Sequence, residues 1–507
     1  MYKNYTTNQT SLPLEWSCML PSNHIIFEIH EFVESVDISV LTLFESSEGR
    51  PGYHPRLLVK ALLFAYSEGI YSGRKIEKMM TENIAMMWAM SNEVISYRTI
   101  NRFRSSECCQ KILPELFANF TVKLKTENLI TMDNLFIDGT KIEANANKYS
   151  FVWKKAVQKY AAALKIKTKQ YFVDEIQPMV EECMQLDDLE ELSMTDLESI
   201  TSLIEKEITE LSVDIEENLV QGKNPKKQKR RRLKKHLRKL RDDFIPRKKK
   251  YEIYHDVFNG RNSFSKIDTD ATFMRMKDDH MMNGQLKAAY NIQMGTENQF
   301  VLAYNIFPNP TDTRTLIPFV ESLNQLPKTI IADAGYGSEE NLDYLNDIGV
   351  NHLIKYNLFD KEQTRSYSTS PKNRKNWSYS SEGNYFTNQK GIPYYFSHIS
   401  RKKNPSGFYQ DIHVYKPEQL DLAEQKAFYY NWHYESLKET ETSMLLSPEG
   451  SKIFARRKIE VEPVFGQIKA NLGFTRFHLR GKEKVKVDIG LAFMANNLKK
   501  YSKIKAS

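Results

Sequence analysis

The sequence of 507 residues predicts an α/β protein in which a long helical insertion and a β-rich insertion interrupt one mixed-sheet core. Short apolar runs typical of strands occur at 135–137, 287–295, 300–307 and 329–332. Helical spacing of apolar residues dominates 54–104, and the charged stretch 150–261 is again typical of helix. Residues 359–449 instead show the hairpin-like alternation and turn residues of a β-rich insertion.

The composition is that of a globular protein and excludes several other classes. Hydrophobic residues make up 41% of the chain and charged residues 27%, with a net charge of +8. There is no apolar run of about 18 residues, so no membrane span is expected, and the N-terminus lacks the pattern of a signal peptide. Four cysteines without a C-x-x-C pair argue against a zinc ribbon or a disulfide framework, and we expect a cytoplasmic protein.

Residues 1–125 are predicted to form a helical N-terminal DNA-binding domain. Within it, 54–104 resembles a helix-turn-helix unit whose last helix begins at the N-cap Ser96 and ends at Arg104. The predicted DNA-binding residues share one exposed face of this helix and are Arg98, Asn101 and Arg102. The alternative is an ordinary helical bundle with a basic rim.

The core is predicted from three stretches, 130–149, 262–358 and 450–507. Its first strand is expected to stop at the turn Asp138-Gly139. The later elements are two strands paired across 296–299, a helix from Thr311 to Val320, a strand at 329–333, a helix capped by Ser338, and a short strand at 352–354.

The insertion at 150–261 separates its charges into two blocks. Residues 174–217 contain 16 acidic residues and one basic residue, whereas residues 223–250 contain 16 basic residues and two acidic ones. One interpretation is a pair of solvated helices with opposite charges facing each other. The other is that the basic block lies along nucleic-acid phosphates, and both hold if the acidic helix covers the basic one without DNA. Residues 452–507 carry 14 basic and four acidic residues, which favours phosphate binding there.

Two aspartates at predicted strand ends are candidates for metal chemistry. Asp138 follows the apolar run LFI and precedes Gly139, and Asp333 follows TIIA and precedes Gly335. An aspartate at a strand end often serves only to stabilise the turn that follows. Two of them, each followed by glycine that lets backbone approach a ligand closely, indicate a crevice beside the sheet.

A third acid is needed to hold two magnesium ions, which prefer carboxylate, water and phosphate oxygens. The candidate is Glu462, and Glu460 is its nearest rival. Pro463 fits the first turn of a helix, so Glu462 is expected at a helix start or a kink. The surrounding cations that would suit a phosphodiester are Arg456, Arg457, Lys458 and Lys469.

These residues stand in ordered blocks that resemble the DDE transposases of bacterial insertion sequences, of the insertion-sequence family 1182 type. The blocks include FIDGTKIEANANKYSFVWKK, IADAGYGSEENLDYL and RRKIEVEPVFGQIKANLGF. The resemblance implies a ribonuclease-H-like core and a metal-binding triad of Asp138, Asp333 and Glu462, with Lys469 as the basic residue after the glutamate. Related transposases carry a tyrosine upstream of that glutamate, where this chain has Phe454.

The resemblance also implies cofactors and partners. They are two Mg²⁺ ions, with Mn²⁺ as a substitute, the double-stranded DNA of terminal inverted repeats and target, and a homodimer in a nucleoid-associated complex. The expected activity is cleavage and strand transfer of DNA. The alternatives are a metal-dependent nuclease without strand transfer and a DNA-binding protein that has lost catalysis.

Other polar residues are open to more than one interpretation. Trp377, an aromatic among bases, either stacks on an unpaired base at a transposon end or packs under the β-rich insertion. Asp312 is interpreted as a first-turn acid that suits a helix dipole. A further group is interpreted as a solvated loop and consists of Asp268, Asp270, Asp278, Asp279 and His280.

Overall fold

The computed structural model of the chain describes residues 19–37, 52–180, 192–218, 224–276, 284–371, 373–417 and 426–506. The chain divides into two compact units. Unit 1 is Met1–Asn145, Arg275–Gln285 and Ala289–Ser507, and unit 2 is Ala146–Met274 and Leu286–Ala288. In the described ranges, no helix combines the length and the apolar character that a membrane crossing needs.

In the described residues, unit 1 begins with six helices, namely α1 (Ile25–Ser35), α2 (Pro55–Ser67), α3 (Gly73–Glu82), α4 (Ile84–Ala89), α5 (Tyr97–Arg104) and α6 (Glu107–Thr126). The predicted last helix of the helix-turn-helix unit is confirmed as α5. Its N-cap is Ser96, whose side chain accepts a hydrogen bond from the backbone N–H of Arg98. The short helix α4 was not predicted, and Asn83 caps it.

After β1 (Asn134–Glu143) the chain enters unit 2. Its elements are β2 (Phe151–Trp153), α7 (Lys154–Tyr171), α8 (Met194–Glu217), α9 (Pro225–Lys239), α10 (Ile245–Phe258) and β3 (Ser263–Ser265). The predicted helical insertion is therefore confirmed as helix. A π-helical turn at Leu240–Phe244 joins α9 to α10.

The acidic helix α8 and the basic helix α9 pack against each other in unit 2. Ile200 and Ile204 of α8 and Leu233 of α9 are buried in one apolar cluster. Beside this cluster, Lys229 Nζ lies 2.7 Å from Glu207 Oε1. The interpretation that the two charged helices face each other is confirmed.

Six strands of the described residues form the core sheet. The five that follow β1 are β4 (Thr272–Arg275), β5 (Leu286–Glu297), β6 (Phe300–Phe307), β7 (Thr329–Ala332) and β8 (Asn351–Ile354). The strand order is β4-β5-β1-β7-β8, with β6 also paired to β5. β5 is antiparallel to β1 and β6, whereas β7 is parallel to β1 and β8. This is the mixed sheet of the predicted ribonuclease-H-like core.

Two predictions for the part of this core before residue 359 are wrong. The first strand does not stop at Asp138-Gly139, because residues 139–143 pair with β5 and the ladder continues to Glu143. The predicted helix from Thr311 begins instead as a 3₁₀ turn at Asp312–Arg314, followed by α11 (Leu316–Glu321). The next helix, α12 (Glu339–Asp347), has Ser338 as its N-cap, as predicted.

The β-rich insertion is confirmed as a five-stranded sheet. Two short helices, α13 (Phe359–Glu362) and α14 (Arg365–Ser368), precede it. The strands are β9 (Ser378–Ser380), β10 (Tyr385–Thr387), β11 (Pro393–Lys403), β12 (Tyr409–Pro417) and β13 (Phe428–Tyr430), in the order β13-β12-β11-β10-β9. Its core is aromatic and consists of Phe386, Tyr394, Tyr415 and Phe428.

The last four helices of unit 1 in the described ranges are α15 (Trp432–Leu446), α16 (Pro448–Ala455), α17 (Arg457–Gly466) and α18 (Lys482–Ala506), of which only α18 carries an excess of basic residues. The expectation that Pro463 occupies a first turn is wrong, because it lies inside α17. Proline there removes the hydrogen bond to the carbonyl of Ile459, an exposed residue, so water can satisfy that carbonyl. The buried helix α18 packs against α2, α6 and β6.

Candidate active site

The two aspartates predicted from strand ends lie on neighbouring parallel strands of unit 1. The pairing of Phe136 with Ile331 fixes the register of β1 and β7. Two residues further along, this register sets Asp138 and Asp333 at the same level of the sheet. β7 ends at Ala332, so Asp333 begins a loop while Asp138 remains inside β1.

Each of these carboxylates is oriented by the backbone that follows it. The N–H of Gly139 donates to Asp138 Oδ1 at 2.8 Å, and the N–H of Gly335 donates to Asp333 Oδ1 at 2.8 Å. In both aspartates the other carboxylate oxygen, Oδ2, takes no part in this hydrogen bond. Asp138 is 8% exposed and Asp333 is half-buried. The two carboxylates are therefore held in fixed orientations at one edge of the parallel strand pair.

Asp312 is a third carboxylate of this region, which the sequence reasoning missed. Its Oδ1 accepts hydrogen bonds from Asn291 Nδ2 at 2.8 Å and from Gln293 Nε2 at 3.0 Å. Both amides are fully buried on the same face of β5. A buried amide requires an acceptor, so the alternation Asn-Ile-Gln in a buried strand was the signal that an acceptor had to lie nearby.

Glycines make room for these acids. A Cβ atom at Gly139 would lie 2.7 Å from Asp312 Oδ1. A Cβ atom at Gly335 would lie 3.0 Å from Asp333 Oδ1 and 3.7 Å from Asp312 Oδ2. Asp312 therefore approaches the backbone of β1 and also the loop that carries Asp333. Any larger residue at Gly139 would displace it.

A buried tyrosine, Tyr336, lies close enough to the three carboxylates for their negative charge to affect its pKa. Burial raises the pKa of Tyr336 well above its ordinary value, and the charges of Asp312, Asp138 and Asp333 raise it further. Its protonated hydroxyl donates to Gln293 Oε1. Tyr336, Gln293 and Asp312 thus form one hydrogen-bonded chain behind the predicted metal ligands.

Arg457, predicted to contact DNA, is the first residue of α17 and lies beside the first aspartate. Its Nη1 is 3.7 Å from Asp138 Oδ2. Within the part of the chain that the structure describes, this buried nitrogen has no hydrogen-bond partner. An unsatisfied buried donor is costly, and a phosphate oxygen would satisfy it.

The two glutamates of α17 have different surroundings. Glu460 is 4% exposed, and its carboxylate accepts from the backbone N–H of Gln299 and from Arg456, each at 2.8 Å. Glu462 is exposed on the other side of the helix. The helix α17 contacts β1, the strand that carries Asp138.

The other predicted DNA-binding cations differ in their contacts. Arg456 binds Glu460 and Asn298, with 3.0 Å between its Nη2 and Asn298 Oδ1. Lys458 is exposed on α17, and Lys469 is half-buried in the π-helical turn Gln467–Asn471. Lys458 therefore lies on the same exposed side of the helix as Glu462.

Two of the three predicted DNA-binding residues of α5 are exposed, and the third is not. Arg98 and Arg102 are exposed, four residues apart, as a helical face requires. Asn101 is half-buried and accepts a hydrogen bond from Arg104 Nη2 at 3.2 Å. A Cβ atom at Gly73 would lie 2.6 Å from Asn101 Oδ1, so Asn101 also packs against α3.

Trp377 is half-buried at the edge of the β-rich insertion. Its ring lies 5.1 Å from the rings of Tyr394 and Phe428, and its Nε1 donates to the carbonyl of Pro371 at 3.0 Å. The packed arrangement named as one alternative is therefore present, and stacking on a base would use the remaining exposed part of the ring.

One group in the described ranges has ligand atoms close enough to hold a metal ion, and consists of Glu339, Asp343 and His433. Its members already bind protein groups. Glu339 accepts from Gln410 and Asn431, at 2.6 and 2.7 Å, and His433 Nε2 lies 2.6 Å from Asp343 Oδ1.

The interpretation of a solvated acidic loop after residue 267 is wrong for Asp268, which is 2% exposed. The polar sequence predicted exposure, but Asp268 lies in a buried turn. There its backbone nitrogen is 3.4 Å from Ser265 Oγ. Asp270 is exposed. The other members of that group, Asp278, Asp279 and His280, lie outside the described residues.

Two family models match the chain. Residues 261–498 match the model described as a transposase DDE domain, and residues 14–106 match the model described as a transposase domain (DUF772). Asp333 and Glu462 lie in the first match, whereas Asp138 lies between the two matched stretches. No curated protein and no solved structure was found to match the chain.

Proposed function

We propose that the chain is a DDE transposase of an insertion sequence, which binds the terminal inverted repeats of its element and catalyses metal-dependent cleavage and strand transfer of DNA. The matches of residues 261–498 to a transposase DDE domain and of residues 14–106 to a second transposase domain support this proposal. The observation that carries this proposal is the register of β1 and β7, which sets Asp138 and Asp333 at one level of the sheet. The membership in insertion-sequence family 1182 stays a prediction.

The residues present fit divalent metal ions. Asp138 and Asp333 each use one carboxylate oxygen in a bond to backbone N–H, and burial together with the charge of the acids raises the pKa of Tyr336. Hard cations such as Mg²⁺ prefer such oxygen ligands. When bound, a pair of ions activates the attacking oxygen and stabilises the departing 3′-oxygen of the phosphodiester.

We assign the third ligand to Glu462 rather than to Glu460. The carboxylate of Glu460 is already bound by Gln299 and Arg456 in a buried position. Glu462 is exposed together with Lys458, whose charge suits the phosphate that a metal site on DNA must hold. Arg457 supplies a free donor beside Asp138 for the same phosphate.

We expect Glu462→Gln to lower the rate of end cleavage by about 100-fold or more, because it removes a charged ligand that the transition state needs. The unfolding midpoint in urea should stay unchanged, since the side chain is exposed. Glu460→Gln is the matched control and should have the opposite profile, a lower midpoint with cleavage largely retained. Loss of cleavage in the Glu460 variant alone would move the third ligand to that residue.

Asp312 is proposed as a positioning residue, because it lies beside the loop of Asp333 at Gly335 and is itself fixed by hydrogen bonds from Asn291 and Gln293. We expect Asp312→Asn to lower the cleavage rate by about tenfold to 100-fold and to raise the Mg²⁺ concentration for half-maximal rate. Asp347→Asn, at an exposed position of α12, is the charge-matched control. An unchanged Mg²⁺ dependence in the Asp312 variant would remove Asp312 from the site.

DNA recognition is assigned to several separate surfaces. Arg98 and Arg102 of α5 are proposed to contact the end sequence, with Asn101 holding Arg104 beneath them. Arg456 and Lys469 are proposed to contact phosphates near the metal site, and Trp377 to stack on a base with its exposed edge. The functional form is proposed to be a homodimer that pairs two ends.

The reaction product tests this function. With a DNA duplex that ends in the element's own inverted repeat, a target plasmid and Mg²⁺, the wild-type protein should give joined molecules. Nicked ends without joined molecules would indicate a nuclease on the same core. Bound but uncut DNA would indicate a DNA-binding protein without catalysis and would contradict the proposal.

A further inference from the structure

The basic helix α9 of unit 2 carries two sets of cations with different surroundings. The first set faces the acidic helix α8. Lys229 pairs with Glu207 at 2.7 Å, Lys226 pairs with Asp214, and Arg230 Nη1 lies 3.2 Å from Ser212 Oγ. These contacts satisfy the cations that border the apolar cluster of the two helices.

The second set lies on the opposite side and is named here the outer basic face. At 3.6 residues per turn its five members fall within an arc of about 100°, opposite the buried Leu233. All five are exposed, and they are Lys227, Arg231, Lys234, Lys235 and Arg238. Within the described ranges, none of these five side chains has an acid within ion-pair distance.

The outer basic face does not contribute to the stability of the helix pair. The packing of α8 on α9 uses Leu233 and Leu237 of α9 and Leu240 of the π-helical turn after it, with the cations beside them. Like charges four residues apart on a helix, such as Lys227 and Arg231, repel each other and are mildly destabilising. These five cations therefore need another role, and binding to a polyanion that neutralises their charge would provide one.

The chemistry of the face indicates which polyanion it fits. From Lys227 to Arg238 the helix advances about 16 Å, and duplex DNA presents one phosphate charge per about 1.7 Å of its axis. The five residues of the face are lysines and arginines without an aromatic or apolar member among them. Three of the five are lysines, which are depleted in protein–protein interfaces, and unpaired bases are bound by aromatic stacking, so a duplex backbone fits best.

We propose that the outer basic face of α9 binds the backbone phosphates of double-stranded DNA and adds sequence-independent affinity. The inference rests on the proposed function in taking DNA as the partner. It adds a surface that the metal site does not include, within the insertion that separates the first and second catalytic aspartates. The acidic helix therefore neutralises one side of α9 and leaves the other side available to DNA.

The test is the salt dependence of DNA binding by the full-length protein. The variant is Lys227→Gln, Arg231→Gln and Lys235→Gln combined. The matched control removes the same charge from exposed positions of α7 in the same unit, and combines Lys155→Gln, Lys159→Gln and Lys167→Gln. The ligand is a duplex without the element's ends, and its Kd is measured between about 50 and 200 mM NaCl.

Each phosphate contact contributes about 0.9 to the slope of log Kd against log salt, so the outer-face variant should lose about 2 to 3 in slope. Its Kd near 0.1 M salt should rise about 100-fold, while the control stays close to wild type. An unchanged slope, or an equal loss in both variants, would overturn the inference. A changed oligomeric state in light scattering with an unchanged slope would assign the face to a second copy instead and would also overturn it.

End cleavage by the wild-type protein separates this result from the proposed function. If the wild type cleaves the ends but the outer-face variant shows no change in slope, the inference about the outer basic face is wrong and the transposase proposal is retained. A slope change without cleavage by the wild type would retain the face and contradict the assignment. Equal unfolding midpoints of the two variants confirm that both are folded.

Discussion

Replacing Asp138 with asparagine is expected to lower the rate of end cleavage by about 1,000-fold or more, while binding of the ends is retained. The carboxylate is held by the N–H of Gly139 with its second oxygen directed away from that bond. An amide keeps the shape and the hydrogen bond but loses the charge that a divalent cation requires. Loss of several kcal/mol of transition-state stabilisation corresponds to this factor.

The measurement is single-turnover cleavage of a labelled end, with binding of the same end measured in parallel. Asp333→Asn should behave in the same way because it stands at the same level of the neighbouring strand. Asp133→Asn is the control, since Asp133 precedes β1 and forms an exposed pair with Lys328 at 2.7 Å. Comparable rates for Asp138→Asn and Asp133→Asn would show that Asp138 holds no ion.

Replacing Asp488 with alanine is expected to lower the free energy of unfolding by about 3–5 kcal/mol, the usual result of leaving a buried cation without its partner. Asp488 of α18 is 0% exposed and accepts hydrogen bonds from Tyr66 of α2 and from the N–H of His478. Arg104 of α5, 4% exposed, lies 3.9 Å away and also binds Tyr66 at 3.0 Å. One buried carboxylate thus connects three helices.

Urea unfolding measures this effect, and a double-mutant cycle identifies its cause. Arg104→Met combined with Asp488→Leu should be less destabilising than the sum of the two single changes, because no buried charge is left alone. His398→Ala, on the exposed side of β11, is a control in which little change is expected. Strict additivity of Arg104 and Asp488 would contradict a coupled pair.

The same network predicts a pH dependence. Burial alone would raise the pKa of Asp488, but the hydrogen bonds from His478 and Tyr66 and the charge of Arg104 lower it below its ordinary value. A lowered carboxyl pKa contributes stability that is full above the unfolded-state pKa of about 3.9 and is lost as the pH falls through the folded-state pKa. The wild type should therefore lose more stability below about pH 4 than Asp488→Asn does.

The sequence predicts five of the six strands of the core sheet, all except β4, and its two aspartates, because apolar runs that end in Asp-Gly or Asp-Ala-Gly are local patterns. The length of β1 was not predictable, since residues 139–143 continue as strand only through pairing with β5, more than a hundred residues away in the sequence. Asp312 was attributed to a helix dipole, whereas it binds the two buried amides of β5. Such an acceptor is identified only when the partner strand is known.

The charged insertion illustrates the same limit. Pairing of the acidic and basic blocks was one of two interpretations of the composition, and the contacts between α8 and α9 confirm it. Which cations remain without partners depends on the rotation of α9 about its axis. That rotation is set by the burial of Leu233 and Leu240.

The most direct test of the metal site is strand transfer with pre-cleaved ends that carry a free 3′-hydroxyl. This step needs no prior cleavage, so it isolates the chemistry at the proposed site. With Mg²⁺ and a target plasmid, the wild type should produce joined molecules, and Asp138→Asn, Asp333→Asn and Glu462→Gln should produce none while still binding the ends. Joined molecules from either aspartate variant at the wild-type rate would contradict the assignment.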